Sequence, residues 1–146
     1  MTYEAIINGA RGLVYFGGNL PTTLNERDAK LGWNWTFWQR VLRPVLEEIS
    51  PDSPLAAALV APQSKLKIQS STKDVELCVR EVGNEVLVLA CKREGDTVQV
   101  RFSGLPPELS DGEVLYESPR HVKCANGEIT DWFAPFDVHV YRFRRG

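Results

Sequence analysis

The chain has 146 residues, 43% of them hydrophobic and 25% charged, enough for one compact domain or one domain with an appended piece. Nineteen acidic and seventeen basic residues are interspersed and leave a net charge of −2, so there is no basic stripe to hold nucleic acid and no acidic tail. No apolar run is long enough to span a bilayer, residues 1–11 lack the pattern of a secretory leader, and Cys78, Cys91 and Cys124 are odd in number and far apart; together these point to a reducing, cytoplasmic setting with no membrane segment, no disulfide and no structural metal.

Tyr3, Ile6, Ile7 and Ala10 at helical spacing predict a helix over 2–10, ended by Gly9 and Gly12. The run GLVYFGG at 12–18 is short, continuously apolar and bounded by glycines, the pattern of a strand buried on both faces. Residues 19–32 read as a polar loop broken by Pro21, Asn25 and Gly32. Trp35, Trp38, Val41, Leu42, Val45, Leu46 and Ile49 recur at steps of three and four and predict an amphipathic helix over 35–49, with Trp35 and Trp38 in its core stripe. Pro44 should kink that helix or start its second half, since it removes a ladder donor. Ser50-Pro51-Asp52-Ser53-Pro54 then marks a break in composition and divides 1–54 from 55–146.

Beyond Lys65 the pattern is alternation and tight turns. Strands are expected over 74–82 and 85–93, joined by Gly83-Asn84, then over 97–103, 112–117 and 120–124. After the turn Ala125-Asn126-Gly127, the stretch DWFAPFDVHVYRF at 131–143 supplies the last strand, opened by Trp132 and Phe133. Its end puts Val138, Val140 and Arg142 on one side and His139, Tyr141 and Phe143 on the other. No second histidine stands at ligand spacing, so His139 is expected to be a packed or edge residue hydrogen-bonded to a neighbour. The fold class is α+β: an N-terminal helix-strand-helix fragment followed by an antiparallel β-sandwich.

One doubly buried strand between two helices cannot pair its own N–H and C=O groups, so the front end reads as part of something larger. The succession of a helix, NGARGLVYFGG, a long loop and WTFWQRVLRPVLEEI resembles the last helix–strand–helix passage of TIM-barrel glycoside hydrolases, chiefly the β-galactosidase-like and related families. VELCVREVGNEVLVLACKR at 75–93, FSGLP at 102–106 and FAPFDVHVY at 133–141 resemble the small β-sandwich that follows the final barrel helix in those proteins. The resemblance implies that residues 1–54 are a barrel remnant and 55–146 a C-terminal sandwich.

Glycoside cleavage in such barrels needs two carboxylates about 5 to 9 Å apart, placed on strands ahead of the last one. Glu4 lies in the predicted first helix and Glu26 and Asp28 on the polar loop, so no catalytic residue is expected here, nor any metal or cofactor. The chain therefore reads as a C-terminal part of a glycoside hydrolase-like protein, non-catalytic alone, with a structural or accessory sandwich. The alternatives are a carbohydrate-binding module, and one part of a split glycoside hydrolase completed by a separately encoded barrel. Candidate sugar contacts are Tyr15 and Asn19 at the strand's carboxyl end, Trp33 and Asn34 at the mouth of the following helix, and Trp132 on the sandwich; flat rings stack on the apolar face of a pyranose. The open strand edges and the tryptophan helix stripe predict a homodimer or association with a partial barrel.

Overall fold

The structure, a computed structural model, describes residues 1–15, 26, 30 and 37–146. These divide into two compact units, one of Met1–Ala10 with Ala57–Gly146 and one of Arg11–Ala56. The larger unit is the antiparallel β-sandwich expected from the alternation.

Its strands are β1 (Gln69–Ser70), β2 (Val75–Val82), β3 (Glu85–Lys92), β4 (Val98–Ser103), β5 (Gly112–Leu115), β6 (His121–Val122), β7 (Glu128–Phe133) and β8 (Val138–Arg144). They form a five-stranded sheet in the order β2-β3-β8-β5-β6 and a three-stranded sheet in the order β1-β4-β7. The side chains between the sheets are those the period of two selects: Val86, Val88, Ala90, Val114, Tyr141 and Phe143 from the larger sheet, and Val100, Phe102, Ile129 and Phe133 from the smaller. Phe102 meets Phe133 of its own sheet edge to face and Tyr141 of the other sheet at a tilt, each at 5.9 Å between ring centroids, and the second contact ties the two layers.

The larger sheet is covered on its other face as well. Helix α1 (Thr2–Ile7) packs on β2 and β3 with Tyr3 and Ile6 buried. That explains why β3 is a nearly unbroken apolar run: Leu87 and Leu89 point away from the inter-sheet core and are still buried.

Turn chemistry accounts for the registers. Val82 pairs with Glu85 across the two-residue loop Gly83-Asn84, with Gly83 at φ 58. Asn126 and Gly127, at φ 55 and 72, make the second tight turn, and Gly127 is also pressed against the backbone: a Cβ there would lie 2.6 Å from the Leu105 carbonyl oxygen. The β2 edge is blunted where the Ser64 N–H donates to the Val79 carbonyl at 3.0 Å, and β1 and β6 are only two residues long.

The stretch expected to end in one last strand holds parts of two. β7 ends at Phe133 and β8 begins at Val138, in different sheets. Between them Pro135 removes a ladder donor, the Asp137 N–H donates to the Ala134 carbonyl at 3.2 Å, the Asp137 carboxylate accepts from the Ala134 N–H at 2.6 Å, and Phe136 sits at φ 65. A chain turned this sharply crosses from layer to layer rather than continuing a strand.

In the Arg11–Ala56 unit, residues 12–15 carry no strand, and the rest of the expected strand, 16–18, lies outside the described residues. Val14 is 83% exposed; an unpaired strand in water has no partner for its peptide groups. The expected helix over 35–49 is represented by a π-helical turn, Trp38–Leu42, followed by α2 (Arg43–Glu48) with Pro44 in its first turn, so the proline does begin the second half. Trp38 is 38% exposed rather than enclosed. A third helix, α3 (Ala56–Val60), precedes the sandwich strands.

Candidate functional site

Among the described residues, the largest concentration of polar side chains with shared partners lies where β7, β8 and the β5–β6 connection meet. Tyr141 and His139 reach it from β8 on the inward face, Asp131 from β7 between the buried Ile129 and Phe133, and Glu117 and Arg120 from the connection. The fully buried Tyr141 hydroxyl donates to Asp131 Oδ2 at 2.9 Å, and Arg120 Nη1 donates to the same oxygen at 2.8 Å. Arg120 Nε donates to Glu117 Oε2 at 2.8 Å, while Glu117 Oε1 contacts His139 Nδ1.

His139 is 8% exposed and is the packed, hydrogen-bonded histidine expected of it. Its ring meets Phe133 edge to face at 4.4 Å, and its Nε2 lies 3.1 Å from the Trp132 carbonyl oxygen. A carbonyl only accepts, so Nε2 carries a proton and donates. Nδ1 contacts the Glu117 carboxylate and lies 3.2 Å from Arg120 Nη2; a ring nitrogen donates to the first or accepts from the second, not both.

Burial and the adjacent Asp131 carboxylate push the Tyr141 hydroxyl well above the usual tyrosine range, so it serves as a donor. For Arg120, burial alone acts to lower the guanidinium; its hydrogen bonds to Glu117 and Asp131 and their charges outweigh this and hold it above its ordinary value. The cluster thus pairs its charges internally, which suits holding sheets together and does not leave a free nucleophile or base.

On the opposite face of β7 the chemistry differs. Glu128, Thr130 and Trp132 alternate outward, and register with β4 sets Gln99 opposite Trp132 and Arg101 opposite Thr130. Trp132 is 58% exposed, and Gln99, Arg101 and Thr130 are exposed around it. Arg101 Nη1 lies 4.0 Å from Glu128 Oε2, so the cation has a nearby counter-charge. Trp132's own backbone is held from the cluster side: its N–H donates to Asp131 Oδ1 at 2.9 Å and its carbonyl accepts from His139. The result is a flat aromatic ring on an open polar sheet face, with its peptide clamped at both polar atoms.

Of the five residues singled out from sequence, Trp132 is in the sandwich unit and Tyr15, 39% exposed, is in the Arg11–Ala56 unit. Asn19, Trp33 and Asn34 lie outside the described residues, as does Asp28. Glu117, Arg120 and Asp131 were not anticipated. Asp131 had a signal: a charged residue at an inward position between Ile129 and Phe133 needs partners.

A cavity of about 260 Å³ on the sandwich is lined by Met1, Glu4, Cys91, Lys92, Arg93, Glu94, Phe136 and Val138. Its charges are engaged: Arg93 pairs with Glu4 at 3.0 Å and Glu76 at 2.7 Å, and the Lys92 ammonium donates to the Glu94 carbonyl at 2.8 Å. Desolvation pushes the Cys91 thiol up to about 11. Among the described residues no group of His, Cys, Asp or Glu is placed to hold a metal ion, and no helix is long and apolar enough to cross a membrane.

No family model and no curated protein matches the chain. Among solved structures it is similar to an Anoxybacillus alpha-amylase (16% identity over 55% of this chain and 18% of that one, TM-score 0.43). It is likewise similar to a glycoside hydrolase family 30 subfamily 8 xylanase of Clostridium acetobutylicum (16% identity, 50% and 21%, TM-score 0.43). A third is an AmyP variant in complex with maltotriose (17% identity, 87% and 23%, TM-score 0.46). The chain spans about a fifth of the length of these glycoside hydrolases. Scores of this size describe a loose likeness of chain path, and nothing about activity follows from them.

Proposed function

We propose that this chain is the C-terminal part of a glycoside hydrolase-like protein, non-catalytic by itself, in which the β-sandwich is a structural accessory body and residues 1–54 belong to the end of a barrel. The observation that carries the reading is a contrast within the molecule. The sandwich fills its core with its own residues, Phe102, Phe133, Tyr141 and Phe143 all fully buried, whereas Val14, Phe37, Trp38 and Val41 of the Arg11–Ala56 unit stay exposed. Apolar side chains so placed call for a further layer. On this reading the missing layer is the rest of a barrel, encoded on the same or a separate polypeptide, and the isolated chain hides the patch by forming a homodimer.

The test is twofold. The chain alone should release no reducing sugar from glucan, xylan or galactan oligosaccharides, and measurable hydrolysis overturns the non-catalytic reading. Sedimentation at micromolar concentration should show a dimer that Val14→Asp or Trp38→Glu shifts; a monomer of 16.4 kDa across that range shows that no further layer is required.

A further inference from the structure

We propose that the outward face of β4 and β7 is a binding site for a neutral oligosaccharide, with Trp132 as its stacking platform. This deepens the reading above and rests on it for the choice of ligand class.

Three observations converge. An outward position on a sandwich strand is ordinarily polar, and Thr130 and Gln99 follow that rule; Trp132 breaks it with a large ring left mostly in water. Another protein would seek a contiguous apolar patch, whereas on this face the ring's strand neighbours are an amide, a hydroxyl and a guanidinium, those of Gln99, Thr130 and Arg101. Those are the groups that bond the equatorial hydroxyls of a pyranose while its C–H face lies on the indole. Charge narrows the ligand further: Arg101 has Glu128 at 4.0 Å, so the face offers no unbalanced cation for an acidic polymer.

The platform is also held rigidly. β7 is an edge strand, yet the Trp132 peptide is fixed by Asp131 at its N–H and by His139 at its carbonyl, and these two side chains are themselves locked to Tyr141, Arg120 and Glu117. A ring set on a clamped peptide loses little freedom on binding, so more of the stacking energy appears as affinity. His139 and Asp131 are thus positioning residues for Trp132.

An NMR titration of the 146-residue chain with maltohexaose, cellohexaose, xylohexaose and galactotetraose tests this. The expected result is saturable shifts of the Trp132 indole and of the Gln99 and Thr130 amides with at least one of them. Trp132→Ala should weaken binding about tenfold or more, the factor carried by ~1.4 kcal/mol of lost stacking, and Trp132→Phe should recover part of it. His139→Gln, which keeps a donor for the Trp132 carbonyl, should bind like the parent chain, while His139→Leu should bind more weakly with the β2 and β3 amides unshifted. No shift with any of the four sugars, shifts confined to other residues, or full affinity in Trp132→Ala would each overturn the site. Hydrolysis of a probe would instead count against the non-catalytic reading and leave the Trp132 assignment standing.

Discussion

His139 Nε2 donates to the Trp132 carbonyl oxygen, 3.1 Å away, and so joins β8 of one sheet to β7 of the other across the sandwich. His139→Gln retains an N–H able to reach that carbonyl, so the fold should persist with a loss of about 1 kcal/mol. His139→Leu strands the carbonyl without a donor and should cost about 2 kcal/mol. Urea unfolding with an unchanged m-value measures both, and equal stability of the two variants would remove the hydrogen bond from the account.

Asp131 accepts from the buried Tyr141 hydroxyl and from Arg120. Asp131→Ala leaves a phenol and a guanidinium short of their acceptor and should cost about 3 kcal/mol, while Tyr141→Phe removes one donor and should cost about 1 kcal/mol. In a double-mutant cycle the two losses should not add, since both substitutions break the same bond.

Acid should weaken the fold. Hydrogen bonds from Ser64 and Arg145 hold Glu81 below the ordinary glutamate value of 4.5, and the hydrogen bond from Arg142 does the same for Glu113, its cross-strand partner. A carboxyl depressed in the folded state contributes stability above its unfolded pKa and loses it as pH falls through the folded one. The urea midpoint should therefore hold steady above 4.5 and drop below it. Both carboxyls are a third or more exposed, so high salt should shrink the drop. A midpoint that rises on acidification contradicts the assignment.

The thiols should be slow to react. Desolvation raises all three, Cys91 to about 11, and Cys78 and Cys91 are buried. In the native chain at about pH 8, alkylation should reach Cys124 first and the two buried thiols only on unfolding. Fast labelling of Cys91 would mean that α1 lifts from the sheet.

Amide exchange should rank the molecule. β2, β3 and β8, paired on one another and buried, should exchange last; α1, docked on β2 and β3, should come next, and residues 11–15 first. Equal protection of residues 11–15 and of β3 would show that the front end is as well packed as the sandwich.

The local grammar of the sandwich was legible without coordinates. Gly83-Asn84 and Asn126-Gly127 announce tight turns because glycine and asparagine tolerate positive φ, and period-two alternation marks β4 and sends Tyr141 and Phe143 to one face. Partnership could not be read. That DWFAPFDVHVYRF divides between two sheets follows from how Pro135, Phe136 and Asp137 turn the chain, and a run of apolar residues carries no mark of which layer each half joins. Glu117 and Arg120 share the β5–β6 connection and pair locally, but Asp131 comes from β7, and only the packing of one sheet on the other brings it within bonding distance of Arg120 and Tyr141. Composition and periodicity thus determined that this chain builds an antiparallel sandwich. Tertiary structure alone decided that His139, twelve residues past the turn glycine Gly127, would clamp the Trp132 peptide, because contacts between strands depend on sheet order, which local sequence does not encode.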